Sequence, residues 1–233
     1  MRTACNATLI AVIFLSGCSK GPASIAISDS PMTDVRLMVD AHTKTGHNHP
    51  YTMTTDAMVK VLSGIQVEER DTITGLGFLG SKEGKPAFTH AEIARVVPYL
   101  VEALRKASPK DLTTFYMLVS DGHQSRAVTS GGLFVDGNRL HVILANWRSV
   151  PRGGQDYTIA MELDTRDDPL LPISPFRFLV GFHPTDAWVK SRKLRDDPGF
   201  PAYRLAYGDP AKTIVIDLET LLTHRSSDLI VPP

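Results

Sequence analysis

Between Thr113 and Trp147 the chain adopts a two-residue period and keeps it through three successive segments, which constrains the fold more than any other feature. Thr113–Ser120 (TTFYMLVS), Ala127–Val135 (AVTSGGLFV) and Arg139–Trp147 (RLHVILANW) have the length and the β-branched and aromatic content of strands. Asp136-Gly137-Asn138 separates the last two; tight hairpin turns need positive φ, which these residue types tolerate. In the third segment Leu140, Val142 and Leu144 project to one face and Ile143 and Ala145 to the other. With both faces apolar, that strand is expected in the middle of a sheet. Ser130-Gly131-Gly132 interrupts the second segment with two residues that have no side chain, the mark of a bulge.

The flanking regions add helices and further strands. Phe88-Thr89-His90-Ala91-Glu92-Ile93 has capping-box spacing between Thr89 and Glu92, with Phe88 and Ile93 at the staple positions. Ile93, Val97, Leu100, Val101 and Leu104 continue as one apolar helical face, and Ser108-Pro109 ends the helix. Pro98 is expected to kink or divide it, because its ring removes a backbone donor. Thr54 or Thr55 is placed to cap a shorter helix through Leu62, with Asp56 in its first turn and Gly64 just past its end. Val35, Leu37 and Val39 alternate with Arg36, Met38 and Asp40, as in a half-buried strand. Tyr157–Asp164, Phe176–Phe182, Tyr203–Tyr207 and Thr213–Asp217 are four more candidate strands, and Leu218–Leu222 fits one helical turn. Strands in succession joined by short loops predict an α+β fold: a largely antiparallel sheet with one or two helices packed on one face.

The amino terminus carries a different signal. Arg2 is followed by Ala7–Leu15, nine residues apolar except for Thr8, half the length needed to cross a hydrocarbon core but that of a secretory signal. The run leads into Leu15-Ser16-Gly17-Cys18, which resembles the lipobox of bacterial lipoproteins. The resemblance implies a cleaved signal over residues 1–17, a diacylglycerol on the Cys18 thiol, and acylation of the freed amino group. Residues 18–30 are then expected to form the lipidated tether, and 31–233 a single envelope domain. Two or three acyl chains give near-permanent attachment to a membrane. Ser19, rather than aspartate, follows the cysteine, which by the same resemblance points to the outer rather than the inner membrane.

Composition narrows the remaining classes. Cys5 and Cys18 are the only cysteines, so the mature domain has neither disulfide nor thiol chemistry. Loss of residues 1–17 removes one charged side chain, Arg2, leaving 24 basic against 25 acidic residues. Such a balance supplies no field for nucleic acid. Apart from the membrane, an envelope protein is the expected kind of partner.

Four constellations invite chemistry. His47-Asn48-His49-Pro50 places two imidazoles two residues apart, which in an extended segment point the same way, as ligands for zinc or copper would; His42, His123 and His183 are candidate further ligands. Solvated or capping histidines are the alternative. Gly75-Leu76-Gly77-Phe78-Leu79-Gly80 spells a dinucleotide motif but lacks the helix that must open inside it. Ser120-Asp121-Gly122-His123 holds triad residue types without a nucleophile elbow. Lys190, Arg192, Lys193 and Arg195 are followed at once by Asp196 and Asp197, as on a solvated surface. No catalytic residue and no resident cofactor are assigned. The leading expectation is a non-catalytic binding or scaffolding lipoprotein, and the alternative is a metal-binding periplasmic protein using His47 and His49.

Overall fold

Hydrogen bonding between the strands foreseen at 113–147 organises the molecule. The computed structural model describes residues 24–40, 43, 45–69, 84–120, 126–150, 166–173, 178–189 and 212–223. A six-stranded antiparallel sheet has the order β1-β2-β5-β6-β7-β9, from β1 (Ser24–Ser30), β2 (Thr33–Val39), β5 (Asp111–Ser120), β6 (Arg126–Asp136), β7 (Arg139–Ser149) and β9 (Thr213–Asp217). A second antiparallel sheet has the order β4-β3-β8, from β3 (Ile65–Glu69), β4 (Lys85–Pro86) and β8 (Phe178–Phe182). The helices are α1 (Thr55–Gly64), α2 (His90–Lys106) and the short α3 (Leu218–Thr223). No described helix is long and apolar enough to cross a membrane.

One core joins the helices to one face of the large sheet. Ile93, Val96, Val97, Leu100 and Leu104 of α2 and Met58, Val61 and Leu62 of α1 pack with Leu37, Phe115, Met117, Leu133, Leu140, Val142 and Leu144. Burial of each such side chain contributes roughly 1.5–3 kcal/mol. The expected α+β arrangement, with helices on one face, is therefore present, and β7 is interior, between β6 and β9. The opposite face is covered in part by residues 166–173: Leu170 packs with Leu112, Phe134 and Ile143, and Ile173 with Tyr116, Leu118 and Val128.

Local chemistry sets the element ends. Thr89 Oγ1 accepts from Glu92 N–H and the Glu92 carboxylate accepts from Thr89 N–H, closing the capping box. Pro98 lies inside α2, which continues through it as one helix rather than two. Thr54 caps α1 by accepting from Ala57 N–H. Gly64 belongs to α1 itself: a Cβ there would lie 2.3 Å from the carbonyl oxygen of His183, so close approach of β8 requires the glycine. Gly137 takes φ 58 in the β6–β7 turn. The bulge foreseen at Ser130–Gly131 shifts the β6–β7 register, and a Gly131 Cβ would lie 2.0 Å from the Ile143 oxygen.

Three differences from the sequence reading have physical reasons. Ser24–Ser30, assigned to the tether, form β1, an edge strand whose register slips between Ala26 and Ser28; such a bulge blunts an edge against further pairing. Val39 is exposed and Asp40 buried, the reverse of the alternation, because Asp40 meets His47. β3 follows α1 without a turn residue, so no break in the sequence announces it. The candidate strands Tyr157–Asp164 and Tyr203–Tyr207 lie outside the described residues.

Candidate functional site

The His47-Asn48-His49 segment occupies the place where β5 stops pairing with β6. The β5–β6 ladder runs from Ser120–Arg126 to Thr113–Leu133, which leaves the main-chain groups of Val135 beyond it. Those groups are taken up by the loop: Asn48 N–H donates to the Val135 carbonyl at 2.8 Å, and Val135 N–H donates to His49 Nε2 at 3.2 Å. Asn48 Oδ1 accepts from Gly137 N–H at 2.7 Å, and His47 N–H donates to the Pro109 carbonyl at 2.7 Å. The segment therefore ties the β6–β7 hairpin to the α2–β5 connection. Buried main-chain groups must be paired, and this loop pairs them.

Both imidazoles face inward. His47 Nε2 donates to Asp40 Oδ2 at 3.0 Å, with both side chains almost fully buried. The His47 ring lies 4.3 Å from Phe134 and 5.6 Å from His49, and His141 stacks on Phe134 at 4.5 Å. Burial lowers the His49 pKa from 6.5 to about 4, and the neighbouring His47 adds to that shift. The acceptor role of its Nε2 requires the same neutral form, with the proton on Nδ1. His49 Nδ1 is buried without a hydrogen-bond partner among the described residues, although the backbones of Asp111 and Ser108 lie near enough to favour protonation weakly.

A buried acid paired to an imidazole is the orienting half of many acid–base sites. Here, among the described residues, His47 has no hydroxyl partner that could serve as nucleophile. No three His, Cys, Asp or Glu side chains converge with metal-ligand spacing among the described residues. His183 is exposed after β8 in the second sheet, apart from this loop. Cys18, His42, His123, the Gly75–Gly80 motif and the basic residues Lys190, Arg192, Lys193 and Arg195 lie outside the described residues, as do Asp121 and Gly122.

Two further polar clusters escaped sequence reasoning. Asp34, 2% exposed, accepts from Arg36 through both oxygens (2.8 and 2.7 Å) and from Arg166 Nε at 3.0 Å. Arg166 also pairs with Asp29 and donates to the Ser30 carbonyl. The Asp34 hydrogen bonds hold the Arg36 guanidinium above its usual pKa. On the same sheet face Asn146 donates to Ser130 Oγ and to the Leu171 carbonyl and accepts from Ile173 N–H, while Ser130 Oγ donates to the Pro169 carbonyl. Both clusters fasten residues 166–173 to the sheet. The Asp34–Arg36 spacing places the two on one strand face, a visible signal; Arg166, 132 positions away, left none. No protein-family model matches the chain, and neither a curated protein nor a solved structure shows significant similarity to it.

Proposed function

We propose that this chain is a lipid-anchored protein of the bacterial envelope whose domain binds or scaffolds and does not catalyse. The observation that carries the reading is Leu15-Ser16-Gly17-Cys18 at the end of a nine-residue apolar run. Supporting it, the three buried polar clusters described above are spent on holding loops to the sheet, as expected of a rigid display scaffold. The lipid and an envelope protein are its partners, and the outer membrane is its expected location. The test is mass spectrometry of the membrane-extracted protein. A mature chain starting at an acylated Cys18, with Cys18→Ser uncleaved and unacylated, supports the reading; an unmodified Cys18 sinks it.

One observation favours a second reading, binding of zinc or copper. His49 Nδ1 is a buried nitrogen without a partner among the described residues, and the His49 ring lies 5.6 Å from that of His47, which is paired to Asp40. Ligation at His49 Nδ1 requires the ring proton to move to Nε2, which releases the Val135 N–H, whereas the His47–Asp40 pair can stay intact as a carboxylate–histidine–metal arrangement. Near-stoichiometric metal in tag-free protein, lost in His49→Gln, would establish it; metal-free protein that remains so after exposure to zinc and copper would end it.

A further inference from the structure

The register of the large sheet brings four chain positions, beside the start of β5, to one end. Ser24 opposes Met38, Val39 opposes Asp111, and Arg139 opposes Asp217, so the start of β1, the end of β2, the Gly137–Asn138 turn and α3 share that end. Three large apolar side chains are exposed there. Ile25 (63% exposed) opposes the buried Leu37 and thus shares its sheet face with Val39 (49%), two residues along β2. Leu222 (51%) lies on α3, which follows β9 directly and is joined to the turn by Leu218 N–H donating to the Asn138 carbonyl. β1 and β9 are the two edges of the sheet, five strand spacings or about 24 Å apart. The apolar groups therefore mark both sides of a broad end rather than one spot. Around them Lys110 and Arg139 stand among Asp111, Asp136, Asp217 and Glu219, a mixed rim without a basic patch, so contact with a bilayer here rests on the apolar groups and the tether.

The tether decides what covers this end. Six residue steps separate Cys18 from Ser24, so the lipidated residue lies within about 21 Å of the start of β1. Met32 and Val150, exposed too, are at the far ends of β2 and β7, a strand length further away. The geometry points to the end of the sheet bearing Ile25, Val39 and Leu222 as the surface that rests on the lipid bilayer. This inference rests on the proposed anchor. The bilayer lies within reach of this end by the length of the chain alone, and the two aliphatic groups of β1 and β2 enter the headgroup layer beside the tether. The bulge in β1 disfavours the competing occupant, a strand from a second copy.

The test uses the full lipoprotein, whose mature form contains no cysteine other than Cys18. Val39→Cys, Leu222→Cys and, as the far-end control, Met32→Cys are labelled with an environment-sensitive dye. The protein is reconstituted in phosphatidylethanolamine–phosphatidylglycerol vesicles with brominated acyl chains. Blue-shifted emission and several-fold stronger quenching at positions 39 and 222 than at 32 are expected. Acylated protein with equal or greater quenching at 32 overturns the assigned face while leaving the anchor standing. Energy transfer between labels at position 39 on separate copies, with no quenching, overturns it in favour of self-association. An unmodified Cys18 in the mass spectrum overturns the anchor and this surface together.

Discussion

The Glu92 carboxylate that closes the capping box of α2 also accepts from Arg148 at the end of β7, at 3.0 and 3.2 Å. A helix terminus and the far end of a central strand thus share one half-buried acid. Arg148 sits at φ 43, a left-handed conformation that a non-glycine residue adopts at a cost. Arg148→Ala is expected to lose about 1–2 kcal/mol, and a double-mutant cycle with Glu92→Ala to show coupling of about 1 kcal/mol. Thr89→Ala should cost about 1 kcal/mol, and Ile93→Ala, at a core position, about 2–5 kcal/mol. Denaturant melts check the order, and a harmless Ile93→Ala would contradict the packing of α2.

The pH dependence of stability should carry the mark of His49. Its pKa is about 4 in the folded protein against an ordinary 6.5, so the unfolded chain binds the extra proton between those values. The stability is whole above pH 6.5 and is lost as pH falls towards 4, by an amount on the order of 2–3 kcal/mol. His49→Gln retains an acceptor for the Val135 N–H but does not titrate. Melts from pH 7 to 4 should therefore be flatter for the variant, and identical slopes would refute the assignment.

Glycines in β6 and its turn separate two kinds of constraint. Gly131→Ala places a methyl group 2.0 Å from the Ile143 oxygen and should cost about 3 kcal/mol or more, because the backbone of β7 must move. Gly137→Ala meets nothing within 4 Å, and its cost is that of φ 58 alone, about 1 kcal/mol. The two melting temperatures give the ranking directly.

Asp34 should behave as a buried ion-pair hub. Asp34→Ala leaves Arg36 and Arg166 without their shared carboxylate and is expected to cost about 3–5 kcal/mol. Amide exchange at Leu170 and Leu171 should rise more in this variant than exchange at Leu140 in the core. Uniform exchange across all three would show that Asp34 does not fasten residues 166–173.

What the sequence disclosed follows the range of each interaction. The capping box, the three strands of 113–147, the turn at Gly137 and the bulge at Gly131 are encoded by residues within a few positions of one another. β1 (SIAISDS) alternates only through Ile25 and Ile27 before its register slips and small polar residues follow, and β4 is two residues ending in Pro86, so neither carries an extended pattern. His47 and His49 stood out as an unusual pair, but their partners could not be read. Asp40 hid in a strand alternation that assigned it to solvent, and Val135 donates a backbone N–H, which no residue type advertises.

The clasp over Val135 also sets an order of assembly. β5, β6 and β7 meet through short connections, whereas His49 reaches Val135 from 86 positions earlier in the chain. The segment has nothing to cap until the β6 edge exists, and such non-local contacts form late. Weakening the clasp is therefore expected to shorten the lifetime of the native state while leaving the rate of reaching it nearly unchanged. His49→Gln is expected, on this order, to raise the unfolding rate while leaving the folding rate nearly unchanged.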